Sequence, residues 1–465
     1  MTRVVVLGGG IAGLAAAHQL EGLLPADCEI VLVERSERLG GKLLTEREDG
    51  FVVEGAADSF LSRKLRGIGL AEELGLASEL VGRRPEHART FVRSGGELHP
   101  LPEGLTGMIP TNLDALDSSA LLSREGRERL AAEVDVPATA PGGDESIASF
   151  VSRRLGREAY EKLVEPLMTG IYGGDGEQLS LEATFPNLRA LELEHGSVLR
   201  GLAAQDTPAS PHPPFVSFRD GVSVLVERIA VGLERAEIVT GRTAVELRRS
   251  QDGYEVELDD GRMLVADGVV LAVPAFAVAE LLAEFDRGLA YEHAEIPYAS
   301  SAIVTIAFAG ERDLDGYGYV VPGAEGSDVL ACTWSSSKWE SRAPAGFSLV
   351  RLYLGRFGGP DVTAETDAGL VERARGEVRL LGIEDEPART WIHRWPRGMP
   401  QYVLGHPERL ERIEEAVARH PGLALAGAVY RGVGIPDCIH SGEEAARSVA
   451  RSLALTRRKP PSYKL

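Results

Sequence analysis

The run Gly8-Gly9-Gly10-Ile11-Ala12-Gly13 has the G-x-G-x-x-G spacing, whose chemistry is the holding of a pyrophosphate. Gly8 permits a tight turn, Gly10 lets backbone come close to phosphates, and Gly13 lets a helix pack closely on a strand. A helix that starts there turns free N–H groups and a partial positive charge toward the anion. Glu34 stands 21 positions after Gly13. A carboxylate at that separation accepts hydrogen bonds from a ribose diol and repels a 2′-phosphate, which disfavours NADP. Beyond it, Arg35-Ser36-Glu37-Arg38-Leu39-Gly40-Gly41-Lys42 adds a second glycine pair and two bases, Arg38 and Lys42, suited to offset diphosphate charge. A simple NAD-binding domain has no need of that segment.

Other chemistries find less support. The ten histidines form no His-x-x-His or His-Glu pattern, so a metal site is not expected. His18 falls within the first helix and reads as packing. Cys28, Cys332 and Cys438 follow no pair spacing, which argues against a disulfide framework and for a reducing cytoplasm.

The elements that must position these residues are legible in part. Val4–Leu7 reads as a short buried strand, Ile11–Leu20 as a helix with Ile11, Leu14 and Ala15 on one face, and Ile30–Val33 as the next strand. This βαβ unit implies a parallel sheet. From Leu105 to about Gln205 helix formers dominate, broken by Pro137, Pro141, Gly142 and Gly143. Thr243–Arg249, Tyr254–Leu258 and Arg262–Val265 read as strands that turn at Asp252-Gly253 and Asp260-Gly261. Val269–Val273 and Leu423–Ala426 are further buried strands, while Ile303–Phe308, Tyr319–Val321 and Ser348–Leu354 suggest a separate antiparallel sheet. A last helix, Pro436–Leu453, carries Ala446, Val449, Ala450 and Leu453 on its inner face.

The chain has 465 residues, enough for two or three domains, and its 44% apolar content excludes a disordered or fibrous protein. Its formal charge of −20 makes nucleic acid an unsuitable partner, and an anionic substrate needs a local basic patch. The apolar run after Arg3 holds four glycines, which suit a turn and not a signal peptide. No stretch of about 18 apolar residues predicts a membrane span, which leaves peripheral contact open. The tail Arg457, Arg458, Lys459 and Lys464 reads as a solvated end.

Several stretches resemble one family, the FAD-dependent protoporphyrinogen oxidases of the amine-oxidase-like flavoproteins, across almost the whole chain. They are Val4–Gly13, Glu34–Lys42, Asp58-Ser59-Phe60, Pro100-Leu101-Pro102 and Glu165-Pro166-Leu167-Met168-Thr169-Gly170-Ile171-Tyr172-Gly173-Gly174-Asp175. Ala331–Trp334 with Lys338-Trp339, Arg394-Trp395-Pro396 with Met399–Tyr402, and Ala426-Gly427 with Tyr430–Ile439 complete the set. The pattern is most similar to the bacterial soluble type, which resembles coproporphyrinogen III oxidases of a heme route. Relatives usually carry Gly-Pro where this chain has Ala56-Ala57.

The resemblance implies an α/β plus α+β fold. It comprises a discontinuous Rossmann-like FAD-binding domain (1–86, 215–275, 420–465), a mixed-sheet substrate domain (87–104, 276–419) and a helical insertion (105–214). FAD would lie along Gly8, Gly9, Gly10, Ile11, Ala12, Gly13, Glu34, Arg35, Lys42, Ala56, Ala57, Asp58 and Ser59. Val245 would offer its backbone to the adenine, with Trp395, Ile435, Pro436 and Asp437 near the flavin end. A helix N-terminus at Pro436 would favour the reduced anion by about 0.3–1 kcal/mol, more when buried. The implied reaction takes six electrons from a porphyrinogen, in three two-electron steps, with dioxygen as acceptor and hydrogen peroxide as by-product. No general base stands out. Arg63, Lys64 and Lys338 are the candidate substrate cations. The product would pass to a downstream heme-pathway enzyme. Three other readings compete: the same chemistry on protoporphyrinogen IX, an amine oxidase or desaturase, and a non-catalytic flavin-binding protein. With aromatics at 6%, an aromatic cage of the amine-oxidase kind is poorly supplied.

Overall fold

The central strand, β1 (Arg3–Leu7), lies between β2 (Glu29–Val33) and the strand Gly268–Leu271, with Ala236–Val239 and Leu423–Leu425 at the edges. Every pairing in this sheet is parallel. Leu7 is in register with Val33 on one side and Leu271 on the other, so the strands end level and their outgoing loops share one edge. The chain runs from β1 through α1 (Ile11–Leu23) to β2, and later returns on the other side of β1. That reversal opens a crevice at the carboxyl end of β1.

Val4–Leu7 have no polar face because both faces of the sheet are covered. α1 and the C-terminal helix Ile435–Arg457 cover one face, through Leu14, Ala16, Leu20, Ile439, Ala446 and Val449. The two helices approach so closely that a Cβ on Gly442 would sit 2.0 Å from the Ala12 carbonyl oxygen. The antiparallel strands Ala244–Arg249, Tyr254–Leu258 and Met263–Ala266, with the helices Ala275–Leu281 and His406–Val417, supply the core on the other face.

A second sheet has seven strands: Arg389–Pro400, Tyr298–Ala309, Phe347–Leu354, Val329–Trp334, Gly318–Val320, Phe91–Ser94 and Glu97–Pro100. It is mixed, with one parallel step between Gly318–Val320 and Phe91–Ser94. The helix Asp367–Arg379 packs on it. The sheet is larger than the three strands expected from the sequence. Arg389–Pro400 holds Pro396 and Gly398, which read as breakers but are tolerated at an edge and beside the bulge at Ala299/Ser301. Helices run from Leu113 to Ala204 after a short hairpin, Leu105–Thr106 with Ile109–Pro110. Their core contains the fully buried Arg154, which donates to Glu133 and to the Val136 and Gly196 carbonyls.

The computed structural model describes residues 2–117, 119–139, 142–205, 210–251, 253–312 and 314–457. Pro141, Asp252 and the tail bases Arg458, Lys459 and Lys464 lie outside these residues. Among the described residues no helix is long and apolar enough to cross a membrane.

Candidate functional site

Three glycines of the first loop serve different ends. Gly8 has φ +104°, and a Cβ on Gly13 would lie 1.8 Å from the Gly8 carbonyl oxygen, so both are required by the turn itself. Gly10 has φ −71° and ψ 176°, which suits any residue, and a Cβ there would meet nothing within 4 Å. The space beside Gly10 is a cradle that a side chain would fill. α1 begins at this point with no side-chain cap, which leaves its first N–H groups for a ligand.

Glu34 is held at the crevice. Its carboxylate accepts from the Gly9 N–H at 2.7 Å and the Ser36 N–H at 2.9 Å. The second glycine turn packs directly on the first. The Gly40 N–H donates to the Gly9 carbonyl at 2.7 Å, and a Cβ on Gly41 would be 3.3 Å from Gly10 Cα. Arg38 takes a different part from the expected one. Its guanidinium donates to the Leu39, Gly41 and Leu43 carbonyls and so clamps this turn. Lys42 is half-buried, and burial pulls its ammonium down. Arg35 is exposed, while Ile11 and Ala12 are buried under the crevice. On the three-stranded sheet, the register skips from Ala244 to Glu246. Val245 therefore sits in a bulge, its backbone out of the ladder and its side chain 48% exposed.

The segment Ala56-Ala57-Asp58-Ser59 meets the second sheet. The Asp58 side chain, 12% exposed, accepts from Lys338 Nζ at 2.7 Å and Trp339 Nε1 at 3.2 Å, and Arg351 Nη1 stands 3.7 Å away. Burial alone would raise this carboxyl, yet Lys338 and Arg351 hold it well below the ordinary range. Ser59 Oγ donates to Asp58 Oδ1 at 2.7 Å. Arg351 also donates to the Ala56 carbonyl, and Trp395 Nε1 donates to the Gly55 carbonyl at 2.8 Å. The buried Glu54 lies 3.4 Å from Arg342.

The C-terminal helix opens beside this segment. Gly432 has φ +115°, and Asp437 accepts from the Gly434 N–H at 3.2 Å, which caps the turn before Ile435 and Pro436. Lys64 Nζ reaches the same Asp437 carboxylate at 2.5 Å. Of the three expected substrate cations, then, Lys338 and Lys64 are in ion pairs, with Asp58 and Asp437, and Arg63 is exposed. Sequence reasoning missed Arg351 and Arg342 and gave Trp339 no role beyond the Lys338-Trp339 match, since nothing local marks a residue whose partner lies hundreds of positions away. Among the described residues no group of three or more His, Cys, Asp or Glu is placed to hold a metal ion.

Residues 11–450 match the family described as flavin containing amine oxidoreductase. The chain belongs to that family. This flavin-containing oxidoreductase has FAD as its cofactor. It is 35% identical to a coproporphyrinogen III oxidase of Bacillus subtilis (strain 168), over 95% of this chain and 97% of that one. It is 31% identical to a coproporphyrinogen III oxidase of Staphylococcus aureus (strain NCTC 8325 / PS 47), over 97% of this chain and all of the relative. A solved structure assigned as a protoporphyrinogen oxidase, from Exiguobacterium sp. 255-15, superposes with a TM-score of 0.87 at 35% identity, covering 97% of this chain and 99% of that one. The residues present fit FAD: an open cradle at Gly10, an uncapped helix N-terminus, and a Val245 that the strand pairing skips.

That last feature yields a test. Val245→Ala should leave FAD affinity unchanged, because the exposed side chain has no part in it. Val245→Pro removes the N–H and should weaken FAD binding by about tenfold, the worth of one hydrogen bond at a desolvated site. Titration of apoprotein with FAD, read by quenching of flavin fluorescence, measures both. Equal affinities for the two variants would remove Val245 from the adenine site.

Proposed function

We propose that this protein oxidises coproporphyrinogen III to coproporphyrin III in heme biosynthesis. Six electrons leave the macrocycle, and three molecules of dioxygen become three of hydrogen peroxide. The observation that carries this reading is the near full-length likeness to coproporphyrinogen III oxidases, 35% over 95% of the chain. The geometry supports it: bases crowd around Asp58 in a chain whose overall charge is −20. A substrate with four propionates needs such a patch.

FAD, when bound, supplies the two-electron acceptance that each dehydrogenation requires. We assign Gly8–Gly13 and Lys42 to its pyrophosphate, Glu34 and Arg35 to its ribose and adenine, and Val245 to its adenine edge. Ala56–Ser59, Trp395 and Ile435–Asp437 would flank its ring. Trp395 and Arg351 hold the Gly55 and Ala56 carbonyls and so fix the path of that backbone. Asp58 is a poor proton acceptor, because its two cations keep it ionised. Protons from the pyrrole nitrogens would pass to solvent or to the substrate's own nitrogens. The three-part division into FAD-binding, substrate and helical domains, a cytoplasmic location, and hand-off of product to a downstream enzyme belong to the same reading.

A second reading, oxidation of protoporphyrinogen IX, is favoured by the likeness to the Exiguobacterium protein. Parallel assays of the two porphyrinogens, read by product fluorescence, separate them. A kcat/KM for coproporphyrinogen III at least about tenfold the higher is the expected result, the size of one discriminating polar contact. Equal or reversed preference would overturn the choice of substrate.

A further inference from the structure

Arg83 differs from the bases around it. It follows the strand Leu80–Gly82, and its guanidinium lies over two rings, 4.6 Å from the centroid of Phe215 and 4.5 Å from that of Tyr317. Its side chain has no hydrogen bond or ion pair with any described residue. The neighbouring bases are taken. Lys338 holds Asp58, Arg351 holds the Ala56 carbonyl, and Arg84 holds Glu86. Arg342 donates to Ser217 Oγ and to the Arg219 and Phe218 carbonyls.

Both rings of the clamp are fixed from behind. Tyr317 donates its hydroxyl to the Arg84 carbonyl at 2.8 Å, and Phe215 pairs in register with Leu61. The two rings hold the guanidinium by cation–π contact and take none of its five N–H donors. A guanidinium with its donors unspent matches a carboxylate, which can accept two parallel hydrogen bonds from it. The clamp is also joined to the Asp58 segment. The Arg84 N–H donates to the Lys338 carbonyl at 3.0 Å, and Ser217 Oγ donates to the Asp58 carbonyl at 2.7 Å. In this neighbourhood the five bases Arg83, Arg84, Lys338, Arg342 and Arg351 face the four acids Glu54, Asp58, Glu86 and Asp220. The local excess is positive, against the −20 of the whole chain.

We propose that Arg83, held against Phe215 and Tyr317 with its donors unspent, is the residue that receives a carboxylate of the substrate. On the tetrapyrrole reading, on which this rests, the group is a propionate. Arg83 then contributes to selection among porphyrinogens by their number of carboxylates. Its role is binding and not chemistry, so substitution moves KM and leaves kcat largely alone.

The experiment compares holoenzyme carrying Arg83, Arg83→Gln and Arg83→Lys. Steady-state turnover of coproporphyrinogen III gives KM and kcat. Separately, binding of coproporphyrin III and of its tetramethyl ester is followed by porphyrin fluorescence, which needs no turnover. The parent should prefer the free acid to the ester. Arg83→Gln should raise KM about tenfold or more at near-constant kcat, and should lose most of the preference for acid over ester. Arg83→Lys, which keeps the charge but not the planar fork, should recover part of both. FAD content and thermal midpoint should stay at parental values.

An unchanged KM and an unchanged acid-over-ester preference in Arg83→Gln would overturn the proposal. Loss of FAD or of folding in both variants would do so as well, because it makes the clamp structural. A parent enzyme that turns over neither porphyrinogen defeats the underlying reading of substrate, a result distinct from a working parent with an indifferent Arg83.

Discussion

Gly10→Val should give a protein that folds as well as the parent and purifies without colour. The backbone at Gly10, φ −71° and ψ 176°, costs a valine nothing, and its Cβ would meet no atom within 4 Å. The apoprotein therefore has no reason to lose stability. The valine methyls would occupy the space through which the backbone approaches a pyrophosphate, and FAD affinity should fall about 100-fold or more, as for a ligand displaced by an ångström or so. Gly13→Val makes the contrast. A Cβ at Gly13 would stand 1.8 Å from the Gly8 carbonyl oxygen, so that variant should unfold early whether or not FAD is added. Flavin content by visible absorbance, together with unfolding midpoints of the apoproteins, distinguishes the two. A Gly10→Val protein that stays fully yellow would remove Gly10 from the pyrophosphate site.

The difference between these glycines also shows what the sequence can and cannot tell. The strand, glycine turn, helix and second strand are close in sequence, and their pattern depends on local sterics. Glu34 could be placed at the crevice because β2 must end level with β1. Arg38 could not. Its basic side chain suggested a phosphate partner, and three carbonyls of its own turn satisfy it instead. Arg389–Pro400 was missed because Pro396 and Gly398 break the strand pattern, and only the edge position makes them tolerable. Asp58, Lys338 and Arg351 meet across more than 270 positions of chain, and no spacing encodes such a meeting. The resemblance supplied Asp58 and Lys338, but the network that joins them belongs to the packing of two sheets.

That network should make Asp58→Asn one of the most damaging single-atom changes in the chain. The asparagine has the same shape, but Lys338 and Arg351, 15% and 2% exposed at their side chains, would be left without their counter-charge. Breaking a buried pair from one side costs about 3–5 kcal/mol. The loss should depend on pH in a definite direction. The Asp58 carboxyl is held below its ordinary value in the folded protein. Its stabilising effect is therefore complete above the unfolded aspartate pKa of about 3.9, and fades as pH falls toward the folded value. The stability gap between parent and Asp58→Asn should thus be flat from about pH 8 to about pH 5 and shrink below that. Guanidinium unfolding at a series of pH values, on FAD-saturated protein, measures the gap. Adding Lys338→Met to Asp58→Asn should recover part of the loss, because it removes the nearer of the two stranded charges along with its partner. A gap under about 1 kcal/mol at neutral pH, the range of an exposed pair, would mean that water reaches this ion pair freely. The link between the Asp58 segment and the second sheet would then have to rest on the Trp395 and Arg351 bonds to the Gly55 and Ala56 carbonyls.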